Sequence, residues 1–556
     1  PVFFLDFFVS KWKNMIMKKK TALVSVYHKD SIEKFVKDLV DLGWEILASG
    51  GTAKYLAEKG VKVRDVAELA GGKAILGHRV VTLSREIHAG LLARKGNKGD
   101  MGELGKLGIP FIDLVCVDLY PLEEAIAKSD ASYESVIEAT DIGGPTLLRS
   151  AAKGGRIVIC DPADRDWVIG EIGKMGEIGE EKIRELAAKA EYVVAKYCLE
   201  SAKFHSKKKY SGIVGEQVAE TLYGENAWQV PGRLYSTKND DPLALDKFQV
   251  LTEMAPSYNN LCDVDRMLQT ITHLATAFDV NNIPAKYYGL AVKHGNCCGA
   301  AYGDDEIEVI KKVVEGDPRA IFGGLAMFNF DFGEEEAETL LTHLMDGGQR
   351  RLLDGIITPG FSEKALELSR RKKDKCRFIV NSALADISKN SLDREKRFRY
   401  VRGGFLIQPN YTFVLDFANP EVKVFGNQGD WGNWGNKGDL LLAWAVSATS
   451  NSNTITLVKD AKLIGNGVGQ QDRVGCCELA IKRSKDAGHN TQDAVASSDS
   501  FFPLPDGPGT LIKAGVKAIF STSGSVGDEK VQKLCQDKGI TLVQLPDKIA
   551  RGFFGH

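Results

Sequence analysis

Short apolar runs alternate with stretches of helical periodicity along the first third of the chain. The apolar run 22–26 is followed by a helical stretch that begins at Asp30 or Ser31, and a second run, 45–48, leads into a Ser-Gly-Gly-Thr turn and another helix. This alternation predicts an α/β fold with a parallel sheet. Further strands are predicted at 114–117 and 157–160, and a charged helix at 180–201.

The pattern predicts three parts. Residues 1–20 are expected to be an extension, in which an apolar run precedes a basic cluster, the reverse of a secretory signal. Residues 21–202 form an α/β domain, and the basic segment 203–211 is a linker, because its composition can bury little apolar surface. Residues 203–556 form a second domain, whose Gly- and Asn-rich segment 426–438 is expected to be a loop between two lobes.

Composition limits the classes of function. A chain of 556 residues is too long for one hydrophobic core, and its net charge of -2 predicts no attraction to nucleic acid or membrane from overall charge. The ten cysteines are scattered, and the adjacent pairs 297/298 and 476/477 lack the spacing of a zinc site. We therefore expect reduced thiols, a cytoplasmic location, and no metal or redox cofactor.

One turn combines two reactive side chains. In the stretch 289–301, GLAVKHGNCCGAA, an apolar strand is expected to end at Lys293 and His294. A neighbouring ammonium group lowers the proton affinity of an imidazole, so the ring is available as a base near pH 7. A merely solvated turn would have the same sequence, so these residues alone leave both interpretations open.

Two Gly-Gly turns in the first domain are candidate phosphate sites. Residues 49–52, SGGT, lie between a strand and a helix, where free N–H groups can bind an anion. Residues 141–144, DIGG, form a second such turn, with Lys153 on the following helix. Either turn alone is also typical of a tight connection without a ligand.

The segments around these turns resemble those of one known family. KHGNCCG, GVGQQDRV, SSDSFFPLPDG and RGFFGH resemble the formyltransferase half of the AICAR formyltransferase/IMP cyclohydrolase family. SVYHK, ASGGTAKYL, LGHRVVTL, IHAGLLAR, LYPLEEA and TDIGGPTLLRSAAK resemble its cyclohydrolase half. The resemblance covers about residues 21–556. It implies a methylglyoxal-synthase-like parallel-sheet domain followed by two cytidine-deaminase-like α/β lobes.

The resemblance also implies a function in purine biosynthesis. A formyl group passes from 10-formyltetrahydrofolate to AICAR, and the product, FAICAR, then cyclises to IMP with loss of water. Only these small molecules are expected as ligands, in a homodimer. The zinc chemistry of true deaminases is absent, because the HxE and PCxxC motifs do not occur.

Candidate site residues follow from the matching motifs. In the cyclohydrolase half, Asp141 is the candidate proton acceptor, Lys153 the charge partner for oxygen, and Tyr120 a neighbour of the chemistry. In the other half, His294 is the candidate base, and Lys293 and Asn453 are also catalytic. The implied substrate-binding residues are Ser25, Lys29, Ser49, Gly50, Gly51, Thr52, Arg79, Thr82, Gly143, Gly144, Tyr223, Asn260, Arg473, Phe501, Pro503 and Asp506.

Several positions depart from the family pattern. Val81 occupies the position of the family's lysine and Ser84 that of a histidine, and Arg85 is a candidate replacement cation. Three interpretations stay open: a bifunctional enzyme, an enzyme with only its formyltransferase active, or a nucleotide-binding protein without catalysis. In the second half, the family's arginine, proline and histidine are replaced by Leu222, Ala227 and Trp228.

Overall fold

The computed structural model describes residues 19–72, 75–76, 80–427, 429 and 434–555, with the backbone alone at 434–436. The chain divides into two compact units, unit 1 (Pro1–Val214) and unit 2 (Gly215–His556). Each unit has its own sheet and its own buried clusters of apolar side chains.

Unit 1 is built on a five-stranded parallel sheet. Its strands are β1 (Thr21–Ser25), β2 (Glu45–Ala48), β3 (Arg64–Asp65), β4 (Leu114–Val117) and β5 (Ile157–Ile159). Their order across the sheet is β3-β2-β1-β4-β5. Successive residues of the central strand face opposite sides, so that Ala22 and Val24 join one apolar cluster and Leu23 joins another. Both faces are therefore covered, as expected for a parallel sheet.

The nine α-helices described in unit 1 supply that cover. The charged helix predicted at 180–201 continues to His205, so the first residues of the predicted linker are helical. Basic side chains in its last turn interact favourably with the carbonyl end of the helix. The helices are α1 (Ile32–Asp41), α2 (Gly50–Glu58), α3 (Arg85–Leu92), α4 (Lys98–Leu107), α5 (Leu122–Ala127), α6 (Tyr133–Glu138), α7 (Gly143–Lys153), α8 (Arg165–Met175) and α9 (Glu180–His205).

Two hairpins of unit 2 form separate two-stranded sheets: β6 (Glu216–Thr221) with β7 (Gly232–Ser236), and β14 (Arg397–Val401) with β15 (Gly404–Gln408). Most of their side chains are exposed.

The other strands of unit 2 form one twelve-stranded mixed sheet. They are β8 (Gln249–Val250), β9 (Tyr287–Lys293), β10 (Asn296–Gly303), β11 (Leu325–Phe328), β12 (Gly355–Thr358), β13 (Arg377–Val380), β16 (Lys423–Phe425), β17 (Ile455–Lys459), β18 (Lys462–Gly467), β19 (Val495–Ser498), β20 (Ala518–Ser523) and β21 (Thr541–Pro546). Their order is β16-β21-β20-β19-β17-β18-β10-β9-β11-β12-β13-β8. The two expected lobes are thus halves of one sheet, which meet where β10 pairs with β18.

One apolar cluster spans both halves of this sheet. It includes Leu290 of the first half, Val543 of the second, and buried residues such as Phe278 and Trp444 of two long helices. Separate clusters fill the opposite face of each half. The helices of unit 2 are α10 (Tyr258–Val280), α11 (Glu306–Gly316), α12 (Glu334–Thr342), α13 (Glu363–Ser369), α14 (Trp434–Ala448), α15 (Arg473–Asp486), α16 (Asp506–Lys513), α17 (Asp528–Asp537) and α18 (Asp547–Ala550).

The loop predicted at 426–438 is shorter than expected. Helix α14 begins at Trp434, and the apolar run 440–446 in the same helix packs into the shared cluster. Residues 428 and 430–433 lie outside the described part of the chain. The end of the predicted loop is therefore wrong. Among the helices described in both units, none has the length and apolarity that crossing a bilayer requires.

Candidate functional site

The carboxyl ends of β1 and β4 form the first candidate site. The chain leaves β1 toward β2 on one side of the sheet, and β4 pairs with β1 on the other side. In open α/β sheets such a change of direction opens a crevice in which ligands bind. Ser25 ends β1, and Ser49 follows β2, with its hydroxyl donating to that of Ser25 at 2.7 Å.

The Ser-Gly-Gly-Thr turn begins helix α2 beside this crevice. A Cβ added at Gly50 or Gly51 would meet no atom within 4 Å, so the helix N-terminus is open to a ligand. Thr52 is buried and joins the turn to β1, because its hydroxyl donates to the carbonyl of Val26 at 3.2 Å. The structure thus brings these predicted residues together with Ser25.

Lys29 lies against the same turn. Its Nζ donates to the hydroxyl of Thr52 at 3.3 Å and to the carbonyls of Val26 and Tyr27. Burial lowers the pKa of Lys29, and nearby Asp118 partly opposes the shift. The ammonium group is held beside the open helix N-terminus, where an anionic ligand would be attracted.

The second Gly-Gly turn begins helix α7. The Asp141 carboxylate accepts the N–H of Gly144 at 2.8 Å, and a Cβ on Gly144 would lie 2.4 Å from that carboxylate. A Cβ on Gly143 would lie 2.6 Å from the hydroxyl of Thr82, so both glycines are required by close packing. Burial raises the pKa of Asp141, which favours its role as a proton acceptor near neutral pH.

Tyr120 lies between the two turns. Its ring centroid is 5.2 Å from that of Tyr27, and burial together with the charge of Asp141 raises its pKa. A residue that the sequence did not indicate, Tyr197 of α9, accepts the backbone N–H of Asp141 at 2.6 Å with its hydroxyl oxygen. The phenols of Tyr120 and Tyr197 thus both lie close enough to Asp141 for its charge to raise their pKa values.

Lys153 is not part of that group within one chain. It is the last residue of α7, about 15 Å along the helix axis from Gly143 at a rise of about 1.5 Å per residue. The expected proximity of Lys153 to Asp141 is therefore wrong for a single chain. The remaining predicted residue of this half, Arg79, lies outside the described residues.

The departures at 81–85 have structural explanations. Val81 packs against a core cluster, where an ammonium group would be costly. Ser84 caps α3 by accepting the N–H of Ile87 at 3.2 Å. Arg85 is exposed and pairs with Glu86 at 2.9 Å, so its charge is already partnered.

The second candidate site begins at the hairpin between β9 and β10. Lys293 pairs with Asn296, which leaves His294 and Gly295 as a two-residue turn. Their φ angles are 55° and 73°, as in a type I′ turn, where glycine is the preferred second residue. Lys293 Nζ donates to the carbonyl of Phe322 at 2.6 Å, and the imidazole of His294 is exposed.

Two residues of α10 that the sequence did not indicate support this turn. The Asp263 carboxylate accepts the N–H of Gly295 at 2.6 Å, and burial raises its pKa. Arg266 is one helical turn further on, and it donates to the side-chain oxygen of Asn451 at 3.0 Å. Helix α10 therefore connects the His294 turn to the loop that carries Asn453.

Asn453 lies in a cleft of about 410 Å³. Its amide donates to the carbonyl of Gln470 at 2.9 Å. The cleft is also lined by Arg473, Phe501 and Pro503, so four of the predicted residues share one cavity. Arg551 completes the wall, with its guanidinium 5.8 Å from the centre of the Phe501 ring.

Arg473 has a partner of its own. Its guanidinium forms an ion pair with Asp499, whose side chain is fully buried, and donates to the hydroxyl of Ser498 at 2.9 Å. The ion pair fixes the guanidinium at the wall of the cleft, and the substrate contact of Arg473 stays a prediction. Asp506, by contrast, is at the start of α16 and does not line this cleft.

Tyr223 and Asn260 lie near the first turn of α10. The carbonyl of Tyr223 accepts the N–H of Tyr258 at 3.1 Å. Asn260 is buried and forms a capping box with Ser257, whose N–H it accepts at 3.0 Å. Its side-chain oxygen is therefore engaged by the helix, and its role in substrate binding stays a prediction. Leu222 and Trp228 are both exposed.

The described residues contain no group of three or more His, Cys, Asp or Glu side chains that could hold a metal ion. The first candidate site instead combines an open helix N-terminus with Lys29, Asp141 and Tyr120, and the second combines Lys293, His294 and Asn453. Such sites suit reactions that require orientation, proton transfer and charge stabilisation.

Comparisons with known proteins identify the family. The family described as AICARFT/IMPCHase bienzyme matches residues 151–483, and the MGS-like domain family matches residues 31–146. The chain belongs to the AICARFT/IMPCHase bienzyme family. As a member of that family, it is a bifunctional enzyme that carries out the last two steps of IMP biosynthesis, and its formyltransferase activity implies a folate co-substrate.

Two proteins similar to this chain in sequence agree with this assignment to the AICARFT/IMPCHase bienzymes. The Bifunctional purine biosynthesis protein PurH of Bacillus cytotoxicus is 36% identical over 540 residues, which are 94% of this chain and 98% of the relative. The protein of the same name from Bacillus cereus gives the same values. A solved structure titled Crystal structure of ForH is 33% identical and covers 34% of this chain and 99% of its own, with a TM-score of 0.32.

The capping role of Asn260 in this bienzyme is testable. Asn260→Ala leaves the buried N–H of Ser257 without its acceptor, so we expect the free energy of unfolding to fall by about 1–2 kcal/mol. Denaturant titration measures this loss of stability. The KM for AICAR, measured in the formyltransferase assay, should change less than twofold. Asn259→Ala is the matched control, because its side chain is exposed. A raised KM without loss of stability would contradict the capping role.

Proposed function

We propose that unit 2 transfers the formyl group of 10-formyltetrahydrofolate to the amine of AICAR, and that unit 1 closes the ring of the product. The match of the MGS-like domain to residues 31–146 supports the division of labour. The formyltransferase assignment rests on one observation, the turn that places Lys293 and His294 at a strand end. The Asp263 carboxylate holds this turn by accepting the N–H of Gly295.

In unit 2, the amine of AICAR is a weak nucleophile, because its lone pair is delocalised into the ring and the carboxamide. His294 removes the amine proton as the nitrogen attacks the formyl carbon, and Lys293 stabilises the oxyanion of the tetrahedral intermediate. N10 of the folate then leaves and takes a proton. Asn453, Phe501 and Pro503 line the cleft that we assign to the substrates.

In unit 1, the reacting groups belong to one molecule. The carboxamide nitrogen of FAICAR attacks its own formyl carbon, Asp141 accepts the nitrogen's proton, and water leaves. The site mainly holds the cyclising conformer. We assign the nucleotide phosphate to the open N-terminus of α2, beside Lys29.

The test is a coupled assay on the purified chain with AICAR and 10-formyltetrahydrofolate, in which FAICAR and IMP are resolved over time. Appearance of IMP supports both assignments. Accumulation of FAICAR would mean that ring closure fails, as the valine at position 81 could cause. Absence of turnover would favour a nucleotide-binding protein without catalysis.

We also propose that the enzyme is a homodimer in a reducing compartment, the cytoplasm. Its ten cysteines are free thiols, as expected in a reducing compartment.

The exposed apolar face of the β14–β15 hairpin supports self-association. Facing pairs place Phe398, Tyr400, Phe405 and Ile407 on one side of it, and these side chains are 37–75% exposed. An exposed apolar face of this kind typically marks a protein interface.

Charges on that face are expected to separate the subunits. Tyr400→Glu combined with Ile407→Glu would place two carboxylates in the proposed interface, where burial without partners is costly. In sedimentation velocity at micromolar concentration, the wild-type protein should sediment as a dimer and the double variant as a monomer. The control is Arg402→Glu with Lys396→Glu, which leaves the apolar face intact. A wild-type monomer, or a dimer that survives the double substitution, would contradict the proposal.

A further inference from the structure

A cleft of about 610 Å³ in the first half of unit 2 contains many positive charges. It lies between the loop that precedes β12 and the loop that joins α13 to β13. Because the net charge of the whole chain is -2, this concentration is local. Seven cationic side chains line the cleft: Arg350, Arg351, Arg370, Arg371, Lys372, Lys373 and Lys375.

Most of this charge is not neutralised by the protein. Lys372, Lys373 and Lys375 are exposed, and their ammonium groups have no carboxylate partner within the described residues. Converging cations without counter-ions create a potential that attracts anions. The three ion pairs at the cleft are Arg350–Glu338 at 3.3 Å, Arg371–Asp354 at 3.2 Å and Arg370–Asp374 at 3.7 Å.

Two buried donors in the wall lack partners. Ser369 is 3% exposed, and its hydroxyl makes no hydrogen bond. Arg351 is 2% exposed and donates to the carbonyls of Leu340 and His343, but its Nε has no acceptor. A buried polar group without a partner costs about 1–3 kcal/mol. Both atoms lie behind the surface of the cleft, and rotation of the Ser369 side chain would bring its hydroxyl to an anion bound there.

The cleft is linked to the formyltransferase turn through one short loop. Leu352, in the wall of the cleft, accepts the N–H of Gly323 at 2.7 Å. The adjacent carbonyl of Phe322 accepts the Nζ of Lys293 at 2.6 Å. The loop of Phe322 and Gly323 therefore contacts both the wall of the cleft, at Leu352, and the side chain of Lys293.

We propose that this cleft binds a small polyanion, a molecule with at least two adjacent phosphate or carboxylate groups. The three lysines without carboxylate partners carry more positive charge than a single monovalent anion can neutralise. Such a ligand could be the polyphosphate of a nucleotide or a chain of linked carboxylates such as oligo-γ-glutamate. The site goes beyond the proposed function, since neither reaction uses these residues.

The test is calorimetric titration of the full chain with tripolyphosphate and, separately, with tri-γ-glutamate, without AICAR or folate. We expect one site per chain for at least one probe, with weaker binding as salt rises. Lys372→Ala with Lys373→Ala should reduce affinity at least tenfold. The control, Lys530→Ala with Lys538→Ala, removes the same charge from another exposed region of unit 2 and should change affinity less than twofold.

A second variant separates a built site from diffuse attraction. Ser369→Ala keeps the charge and is expected to weaken binding threefold to tenfold with an unchanged unfolding midpoint. Binding of tripolyphosphate alone indicates a nucleotide phosphate, and binding of tri-γ-glutamate alone a carboxylate chain. Four results would overturn the proposal. Neither probe binds, or only single-stranded RNA binds. Alternatively, the control pair loses as much affinity as Lys372→Ala with Lys373→Ala, or Ser369→Ala keeps the full affinity. None of these results depends on catalysis.

Discussion

Replacing His294 with Asn is expected to lower the rate of formyl transfer by about 100- to 10,000-fold, the range found for loss of a general base. His294 has a φ of 55°, and Asn is one of the residues that tolerate this conformation. The turn and its hydrogen bond to Asp263 should therefore remain while the imidazole is lost. The measurement is single-turnover formation of FAICAR from AICAR and 10-formyltetrahydrofolate.

Two controls distinguish lost chemistry from lost structure. Conversion of supplied FAICAR to IMP should stay within twofold in His294→Asn, because we assign that step to unit 1. Gly295→Asn alters the same turn but keeps the imidazole, its Cβ would meet no atom within 4 Å, and Asn tolerates the φ of 73° better than most residues. It should retain activity within about tenfold. If His294→Asn kept more than a tenth of the wild-type rate, another group would have to be the base.

Asp141→Asn is expected to lower the rate of ring closure by about 100- to 1,000-fold, because the amide cannot accept the proton. The amide oxygen still accepts the N–H of Gly144, so α7 should begin as before. The carboxylate form is the active one, and burial raises its pKa. Ring closure should therefore decline as pH falls through a value above the ordinary aspartate pKa of about 3.9.

The pH dependence itself provides the check. Rates of IMP formation from FAICAR, measured between pH 4 and 8, should show this acidic decline in the wild type and lose it in Asp141→Asn. Asp41→Asn removes an exposed carboxylate from α1 and should leave the profile unchanged. An Asp141→Asn variant with a wild-type rate would exclude this carboxylate as the proton acceptor.

Four of the five strands of unit 1 were predictable because buried parallel strands are continuous apolar runs, whereas β3 consists of the two charged residues Arg64 and Asp65 and was not predicted. The predicted spans 45–48 and 114–117 match β2 and β4 to the residue, and β1 differs by one position. The long helix α9 was placed correctly at its start, while its end depends on how far the last turns remain hydrogen-bonded. The start of α14 was missed because its first residues belong to the Gly- and Asn-rich segment.

The candidate sites were predictable as motifs but not as sets of partners. Asp263 holds a turn 32 residues further along the chain, and no local pattern indicates such a contact. The motif likewise identified Arg473 without its buried partner Asp499. Lys153 shows a different error. It is only twelve residues from Asp141 in the sequence, but the length of helix α7 lies between the two residues in space.

The twelve-stranded sheet of unit 2 restricts how the protein can be divided by an experimenter. A cut between the two halves would expose the edges of β10 and β18 and open the apolar cluster that they share. Uncovered strand edges of this kind promote aggregation. The smallest fragment worth producing for crystallography or inhibitor screening of the formyltransferase is therefore all of 215–556, and expression of either half alone should give insoluble protein.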